Sequence, residues 1–416
     1  MPAQKCPLPR QASPVLKKIQ VTGFKRFSSE RIVVASGLAV GQSFDRNALN
    51  DAVNRLGDTG AFEYVRYNFH PTDGGVAVEL VLKESDKFHK CVFDNFIWFS
   101  EKDLHDLLQK RLPLYDGNAP ESGNMADAIN AELEKILKSK GISSTVSRTV
   151  HGALGDLHWV YEFNADGVTE TVSGLNFEGA ATVDAAALQK EAAPLVKRNF
   201  TVTDFRVFGE KAFVPFYRER GYLQVKLGDP IARPANGDPC LAACEVIVTF
   251  PVTEGLIYRW NSATWSGDLI ASASDLERIF GMKPNEVANG NKIDDGFGAV
   301  RKEYSGKGYI EVRLKSVPAF DDAAKTVTYS VDVEKGAQYH MGEVQFTGFP
   351  PSFVEKLKSR WRCKTGDVYD GNYLDQFMHE ELRNMIRENR IQIRKLETRP
   401  TVNKATGTVD ILLAAS

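Results

Sequence analysis

The feature that most constrains the fold is an internal repeat, because one pattern occurs five times along the 416-residue chain. In each copy, a strand-like run ends in glycine, two helix-like stretches follow, and a Gly-aromatic turn leads into two further strands. The clearest strand ends are Ile19-Gln20-Val21-Thr22-Gly23 and Val344-Gln345-Phe346-Thr347-Gly348. Copies of roughly 80 residues have the size of small domains. The pattern therefore predicts a string of modules that binds along its length, and not a single enzyme core.

The repeat also predicts where the modules begin and end. A Pro-rich tail, expected to be disordered, is followed by five modules, and the segments are 1–15, 16–85, 86–166, 167–254, 255–335 and 336–416. Each module is predicted to fold in the order βααββ, with a three-stranded sheet covered on one face by two helices. The predicted fold class is therefore α+β, an extended tandem array of about five modules.

The first module shows the local signals behind this prediction. A first helix is expected over 29–35, with Ser28 or Ser29 as its N-cap. Gly60 interrupts the second helix, and Asp73-Gly74 is typical of a hairpin between two strands. In the third module, the hairpin is expected to carry a long insert over 229–243.

Composition excludes several functional classes. The chain has 52 basic and 54 acidic residues, a net charge of −2, which argues against a general nucleic-acid binder. No apolar run approaches the ~18 residues that a membrane-spanning helix needs. Residues 1–10 contain no apolar stretch, so no secretory signal is visible. We expect either a cytosolic protein or one whose signal was removed or left out of this sequence.

Of the five cysteines, only Cys240 and Cys244 are neighbours in sequence. Their spacing allows a local disulfide in an oxidising compartment, but spacing alone does not decide between a bridge and two free thiols. A zinc site would need further ligands nearby, and the sequence offers none. We therefore expect no metal and no cofactor.

No arrangement of residues predicts catalysis. Ser305-Gly306-Lys307-Gly308 resembles part of a phosphate-binding loop, but the upstream glycine and the final Ser or Thr are missing. A helix-ending turn is the better interpretation. His379-Glu380-Glu381 lacks the second histidine of a zinc-binding helix. We do not expect an enzyme.

The order βααββ leaves at least one strand edge unpaired in each module, and such an edge can accept an extended peptide as an added strand. We expect partner contacts at Tyr64, Arg66 and Asn68 of the first module, and at Val344 and Phe346 of the fifth. Because backbone groups supply the affinity, side-chain identity is expected to matter little.

Several of these elements together resemble a POTRA (polypeptide-transport-associated) domain: Val21-Thr22-Gly23, Gly41-Gln42-Ser43-Phe44-Asp45, Gly60-Ala61-Phe62, Gly308-Tyr309 and the run 335–344. The resemblance extends over about 16–413. It implies similarity to the periplasmic region of BamA-type and TamA-type outer-membrane assembly factors. It also implies binding of unfolded outer-membrane proteins or accessory assembly subunits by edge-strand augmentation.

From this resemblance we expect a periplasmic location, with outer-membrane association through a partner or through a part of the protein outside this sequence. The expected function is a non-enzymatic polypeptide-binding array for outer-membrane protein assembly or translocation. A passive structural scaffold or spacer, in a secretion or cell-division complex of the envelope, remains the alternative.

Overall fold

The computed structural model describes residues 14–152, 159–237 and 239–416, apart from the side chain of His151. Nearly all of the expected tail, 1–15, lies outside the described residues. Five small sheets with associated helices follow one another along the described chain, which is the expected α+β class. The chain forms two compact units. The first contains the described residues up to Glu178 together with Val183–Phe208 and Gly228–Pro251, and the second contains Gly179–Thr182, Gly209–Leu227 and Val252–Ser416.

The first module has the expected order of three strands and two helices. Its elements are β1 (Val15–Thr22), α1 (Ser29–Ser36), α2 (Arg46–Asp58), β2 (Phe62–Thr72) and β3 (Gly75–Glu84). The strand order in the sheet is β1-β3-β2, with β1 parallel and β2 antiparallel to the central strand. The Ser28 hydroxyl caps α1 by accepting from the Arg31 amide, and Gly37 ends the helix with φ +74°.

The second and third modules each carry a fourth strand. The second contains β4 (Phe88–Phe93), α3 (Glu101–Arg111), β5 (Asn118–Pro120), α4 (Met125–Ser139), β6 (Val146–Gly152) and β7 (Trp159–Ala165). The third contains β8 (Thr169–Glu178), α5 (Ala185–Ala192), α6 (Val202–Phe208), α7 (Val214–Glu219), β9 (Lys226–Leu227), β10 (Ile231–Pro234) and β11 (Ala243–Thr253). The sheet orders are β5-β4-β7-β6 and β10-β11-β8, and β9 also pairs with β11.

These extra strands correct the expectation of three strands in every sheet. The predicted insert 229–243 is not all loop, because its first part forms β10, which pairs antiparallel with β11. With three residues in β5, two in β9 and four in β10, these strands are too short for an alternating pattern to be recognised in the sequence.

The fourth and fifth modules return to the three-stranded arrangement. Their elements are β12 (Arg259–Gly267), α8 (Ala273–Phe280), α9 (Gly290–Ser305), β13 (Arg313–Asp321), β14 (Thr326–Glu334), β15 (His340–Thr347), α10 (Pro351–Arg360), α11 (Tyr373–Gln376), α12 (Arg383–Glu388), β16 (Leu396–Asn403) and β17 (Thr408–Ala415). The sheet orders β12-β14-β13 and β15-β17-β16 repeat that of the first module. A π-helical turn, Phe377–Leu382, joins α11 to α12.

The cores follow the division into modules in the second unit but not in the first. In the first unit, buried side chains of the first two modules, among them Ile32, Leu80 and Leu133, form one continuous apolar cluster. In the second unit, the fourth and fifth modules each have a cluster of their own. Because the first two modules share a core, we infer that they depend on each other for stability.

A glutamate at the end of the last strand ties down the loop that follows the first strand. In the first module, Glu84 accepts hydrogen bonds from the backbone amides of Lys25, Arg26 and Phe27 at 2.9, 2.7 and 3.0 Å. In the second unit, Glu254 likewise accepts from the amide and the hydroxyl of Thr182. Burial acts to raise the pKa of Glu254, but hydrogen bonds from Thr182, Ala181 and Tyr217 together outweigh it, so its pKa lies below the ordinary value.

Within the second unit, successive modules meet at the Gly-aromatic turn. The amide of Tyr258 donates to the carbonyl oxygen of Gly221 at 3.0 Å, and the amide of Tyr339 donates to that of Gly308 at 2.9 Å. Both glycines have positive φ, +91° and +83°, and a Cβ on either would crowd the tyrosine carbonyl. Two joints are therefore built in the same way, and each depends on glycine.

Candidate functional site: the free strand edges

In four modules, the loop before the second helix covers the N-terminal half of the first strand. In the first module, Val15 forms a bridge with Ser43, and Leu16 exchanges hydrogen bonds with the loop before α2: its amide donates to Gln42 O at 2.8 Å and its carbonyl accepts from Gly41 N at 2.7 Å. Equivalent bridges are Thr171 to Asn199, Arg259 to Val287 and His340 to Val368. The loop thus closes this end of the sheet edge to an added strand.

On the opposite side of the sheet, the outer antiparallel strand has an open edge. In the first module this is β2, which pairs with β3 and with no other described strand. The predicted contact residues Tyr64, Arg66 and Asn68 lie there with exposed side chains on one face, while Val65 between them is buried. The Arg66 guanidinium lies 5.2 Å from the centroid of the Tyr64 ring. These three residues therefore share the solvent face of an edge strand.

The other two predicted contact residues have different surroundings. Val344 and Phe346 lie in the half of β15 that the loop leaves uncovered. Their side chains face the core of the module: Phe346 is 9% exposed and its ring lies 6.0 Å from that of Trp361. At Phe346, only the backbone can reach a partner, and at Val344 the side chain is partly buried.

The register of the sheets defines equivalent positions in the outer strands. In the first module, the strand-ending Gly23 packs against the carbonyl of Leu82, and Val78, four residues before Leu82, pairs with Phe69. Gly179, Gly267 and Gly348 mark the same place in the third, fourth and fifth modules, and Asn95, hydrogen-bonded to Ala165, marks it in the second. Each marker contacts a residue of the central strand, and the residue four positions before that one pairs with the outer strand. The outer-strand partners in modules one to five are Phe69, Val150, Ala232, Pro318 and Pro400.

The two prolines change what an outer edge can bind. Proline has no N–H, so it fits a β-ladder only where that N–H would point away from the paired strand. Pro318 and Pro400 thus remove an outward donor from the middle of β13 and β16, a common way of blocking an edge. In contrast, β2 contains no proline from Phe62 to His70. The sequence contains both prolines, but their equivalence is recognisable only from the register.

The four cysteines in the described part of the chain are not arranged for reactivity. Cys240 and Cys244 form a disulfide, and Trp98 Nε1 donates hydrogen bonds to Pro239 O at 2.7 Å and Cys240 O at 3.2 Å. Burial raises the pKa of the free Cys91 thiol and raises that of Cys363 to about 11. A reactive thiolate needs a lowered pKa.

The other predicted motifs occupy structural positions. Ser305-Gly306-Lys307-Gly308 ends α9, and the Gly308 carbonyl takes part in the joint with the fifth module. His379 lies exposed in the π-helical turn. Among the described residues, no group of three or more His, Cys, Asp or Glu side chains could hold a metal ion. None of the helices in the described part of the chain has the length and apolar character needed to cross a membrane. What the sheets offer chemically is unpaired backbone N–H and C=O groups.

Comparison with known proteins identifies the class. Residues 14–85 and 258–336 match the model of the POTRA family, described as "Surface antigen variable number repeat". These two segments are similar to POTRA domains, and the chain is a tandem array of POTRA-like modules that resembles BamA-type proteins.

Two curated relatives and one solved structure are similar to this chain. A Treponema pallidum protein, whose name assigns it provisionally to the outer membrane protein assembly factors, is 25% identical over 49% of this chain and 25% of its own length. Outer membrane protein assembly factor BamA of Neisseria meningitidis is 21% identical over 51% of this chain and 27% of its own length. The chain thus spans about a quarter of these relatives. A crystal structure of Haemophilus influenzae BamA POTRA3-5 aligns with a TM-score of 0.47 and 21% identity, over 60% of this chain and 96% of that one.

Proposed function

We propose that this chain is a non-enzymatic polypeptide-binding array that serves outer-membrane protein assembly. Its clients are unfolded outer-membrane proteins or accessory assembly subunits, which add a strand to open sheet edges. It acts in the periplasm, associated with the outer membrane through a partner or through further parts of a longer protein. The names of the relatives support this assignment. We also propose that the modules have the boundaries 16–85, 86–166, 167–254, 255–335 and 336–416.

The observation that carries the proposal is the open edge of β2. This strand ends its sheet, contains no proline over Phe62–His70, and exposes Tyr64, Arg66 and Asn68 on one face. An extended partner can pair with its backbone while its side chains contact that face. The equivalent strands β13 and β16 each contain a central proline, so the first module is the stronger site.

A substitution at Phe69 tests the proposal directly. Phe69→Pro places a proline where the fourth and fifth modules have Pro318 and Pro400, so it removes an outward N–H from a ladder position that accommodates proline. Phe69→Ala is the matched control, because it removes the same ring contacts with Phe44 and Tyr67 but keeps the N–H.

The measurement is amide hydrogen exchange of the full chain with and without a peptide that has the alternating sequence of a membrane β-strand. We expect the peptide to protect β2 in the native chain and in Phe69→Ala, but not in Phe69→Pro. Equal protection of β2 in both variants, or unchanged exchange in all outer strands, would contradict the proposal.

A second function, that of a spacer or scaffold, is favoured for the last two modules by their blocked outer edges. Their joint through Gly308 and Tyr339 is a direct backbone contact of the kind that fixes a spacing. Capture of folded accessory proteins, but no capture of unfolded clients, would favour the scaffold for the whole array.

A further inference from the structure

A cavity of about 370 Å3 lies within the first unit, between elements of the second and third modules. Its walls are mostly apolar and include Phe93, Phe96, Ile97, Phe200, Ile231 and Ala232. We call it the joint cavity. Its volume is in the range of pockets that hold small ligands or single large side chains. Ile231 is 46% exposed, so the cavity reaches the surface.

Hydrogen bonds between the two modules hold the joint cavity in shape. The amide of Thr203 donates to Asp94 Oδ1 at 2.6 Å, and the amide of Val202 donates to the Asp94 carbonyl at 2.8 Å. On the side of the disulfide loop, Trp98 Nε1 donates to Pro239 O at 2.7 Å. Because hydrogen bonds tie the two modules together at two places, the cavity is a built feature of the first unit.

A strand edge borders the joint cavity. Residues 230–233, which include most of β10, line it, and β10 ends its sheet with β11 as its one described neighbour. At the position where Pro318 and Pro400 block the last two modules, β10 has Ala232, which keeps its N–H. A ligand that enters the cavity therefore meets backbone groups able to pair with another chain, which favours an extended peptide.

The rim of the joint cavity has unpaired positive charge. Arg206 is paired with Asp229 at 3.3 Å. Glu101 lies 3.6 Å from His105 Nε2, but burial lowers the pKa of His105, so this histidine does not neutralise Glu101 at neutral pH and the rim carries one negative charge beside its two free cations. Lys90 and Arg233 are exposed and form no ion pair with any described residue. Two cations beside an apolar cavity complement a ligand with a carboxylate next to an apolar group.

We propose that the joint cavity binds an extended polypeptide segment in which an acidic residue lies close to a large apolar one. The backbone of the segment pairs with β10, its apolar side chain fills the cavity, and its carboxylate contacts Lys90 and Arg233. The inference rests on the proposed function, and it adds a side-chain preference that edge pairing alone does not provide.

Two short peptides test the preference on the full chain. Both alternate Phe and Thr; one has Glu beside the central Phe and the other has Lys there. We expect the Glu peptide to bind about tenfold more tightly. The variant Lys90→Glu/Arg233→Glu should reverse this order. Lys190→Glu/Arg198→Glu, with the same change in net charge at exposed positions that do not line the cavity, should keep it. Equal affinities of the two peptides for the native chain would overturn the proposal.

Amide exchange locates the binding. We expect the Glu peptide to protect Ile231–Arg233, and expect Ala232→Pro but not Ala232→Ser to abolish that protection. Protection of β2 without protection of β10 would overturn this inference and leave the proposed function intact. Protection of neither strand would overturn both. If Ala232→Pro fails to fold, loss of β10 protection in Lys90→Glu/Arg233→Glu is the decisive supporting result, and unchanged protection in that variant overturns the inference.

Discussion

The backbone amide of Tyr339 donates a hydrogen bond to the carbonyl oxygen of Gly308 at 2.9 Å, and this contact joins the fourth module to the fifth. Tyr258 and Gly221 make the same contact at 3.0 Å one module earlier. A turn that ends the second helix of one module thus also positions the first strand of the next.

We predict that Gly308→Ala destabilises the joint by about 1–3 kcal/mol. Gly308 has φ +83°, and its added Cβ would lie 2.7 Å from Tyr339 O and 3.0 Å from Val368 Cγ1. The control is Gly298→Ala within α9, where the structure has open space and a helical backbone. In urea unfolding of the full chain, we expect a lower midpoint for Gly308→Ala and no decrease for Gly298→Ala. Equal midpoints for the two variants would contradict this account of the joint.

We predict that Glu84→Ala costs about 1–3 kcal/mol in the free energy of unfolding. The substitution leaves the amides of Lys25, Arg26 and Phe27 without their shared acceptor. Glu63→Ala is the control, since Glu63 makes an exposed ion pair with Lys83, and such pairs contribute little. Urea unfolding monitored by NMR signals of β3 measures both. A cost for Glu63→Ala as large as that for Glu84→Ala would show that the loop does not depend on this carboxylate.

We predict that the first unit becomes less stable as the pH rises from about 5 to 8. Burial raises the pKa of Glu170 to about 8, the nearby negative charge of Asp94 adds to this, and burial raises the pKa of Asp94 itself to about 6. Above the ordinary value near 4.5, the unfolded chain has released the Glu170 proton that the folded chain still binds. The free energy of unfolding therefore falls as the pH rises, until the pH reaches the pKa of Glu170 in the folded chain.

The matched variants for this prediction are Glu170→Gln and Glu178→Gln, both on β8. The first should flatten the decline with pH, because it removes the buried ionisable group, whose Oε1 has no hydrogen-bond partner among the described atoms. The second changes an exposed carboxylate and should retain the decline. Urea unfolding at pH 5 and pH 8, followed by NMR signals of β8, measures the difference. If stability falls with pH as much in Glu170→Gln as in the native chain, other ionisable groups cause the fall and the prediction is wrong.

We predict that reduction of the Cys240–Cys244 disulfide lowers the free energy of unfolding by about 2 kcal/mol, since the closed loop is short. It should also change the tryptophan fluorescence, because Trp98 Nε1 donates to the carbonyls of Pro239 and Cys240. Trp98→Phe serves as the control. If that variant shows the same fluorescence change on reduction, Trp98 does not report on the loop.

The regular elements of the first module were predictable because several local signals agree there. The cap Ser28, the glycine Gly37 and the hairpin residues Asp73-Gly74 lie where the structure has a helix start, a helix end and a turn. Periodicity does not reveal β5 or β10, because strands of three and four residues are too short to show an alternating pattern. Spacing left the state of Cys240 and Cys244 open.

The candidate site was predictable as a class of element but not in its details. Tyr64, Arg66 and Asn68 alternate along an outer strand, and the sequence shows that alternation. The inward orientation of Phe346 follows from the packing of Trp361, which sequence alone does not give. The equivalence of Phe69 with Pro318 and Pro400 requires the register of three sheets.

The loop that bridges Val15 and Ser43 recurs in three further modules, and it has a consequence for how such a chain can grow. Each duplication of a module adds one outer sheet edge, which a proline blocks in β13 and β16, while the loop shields the start of the opposite edge. A lengthened array therefore gains outer edges while the covered edges limit strand pairing between its own copies, and under the proposed function each open edge adds to its valency.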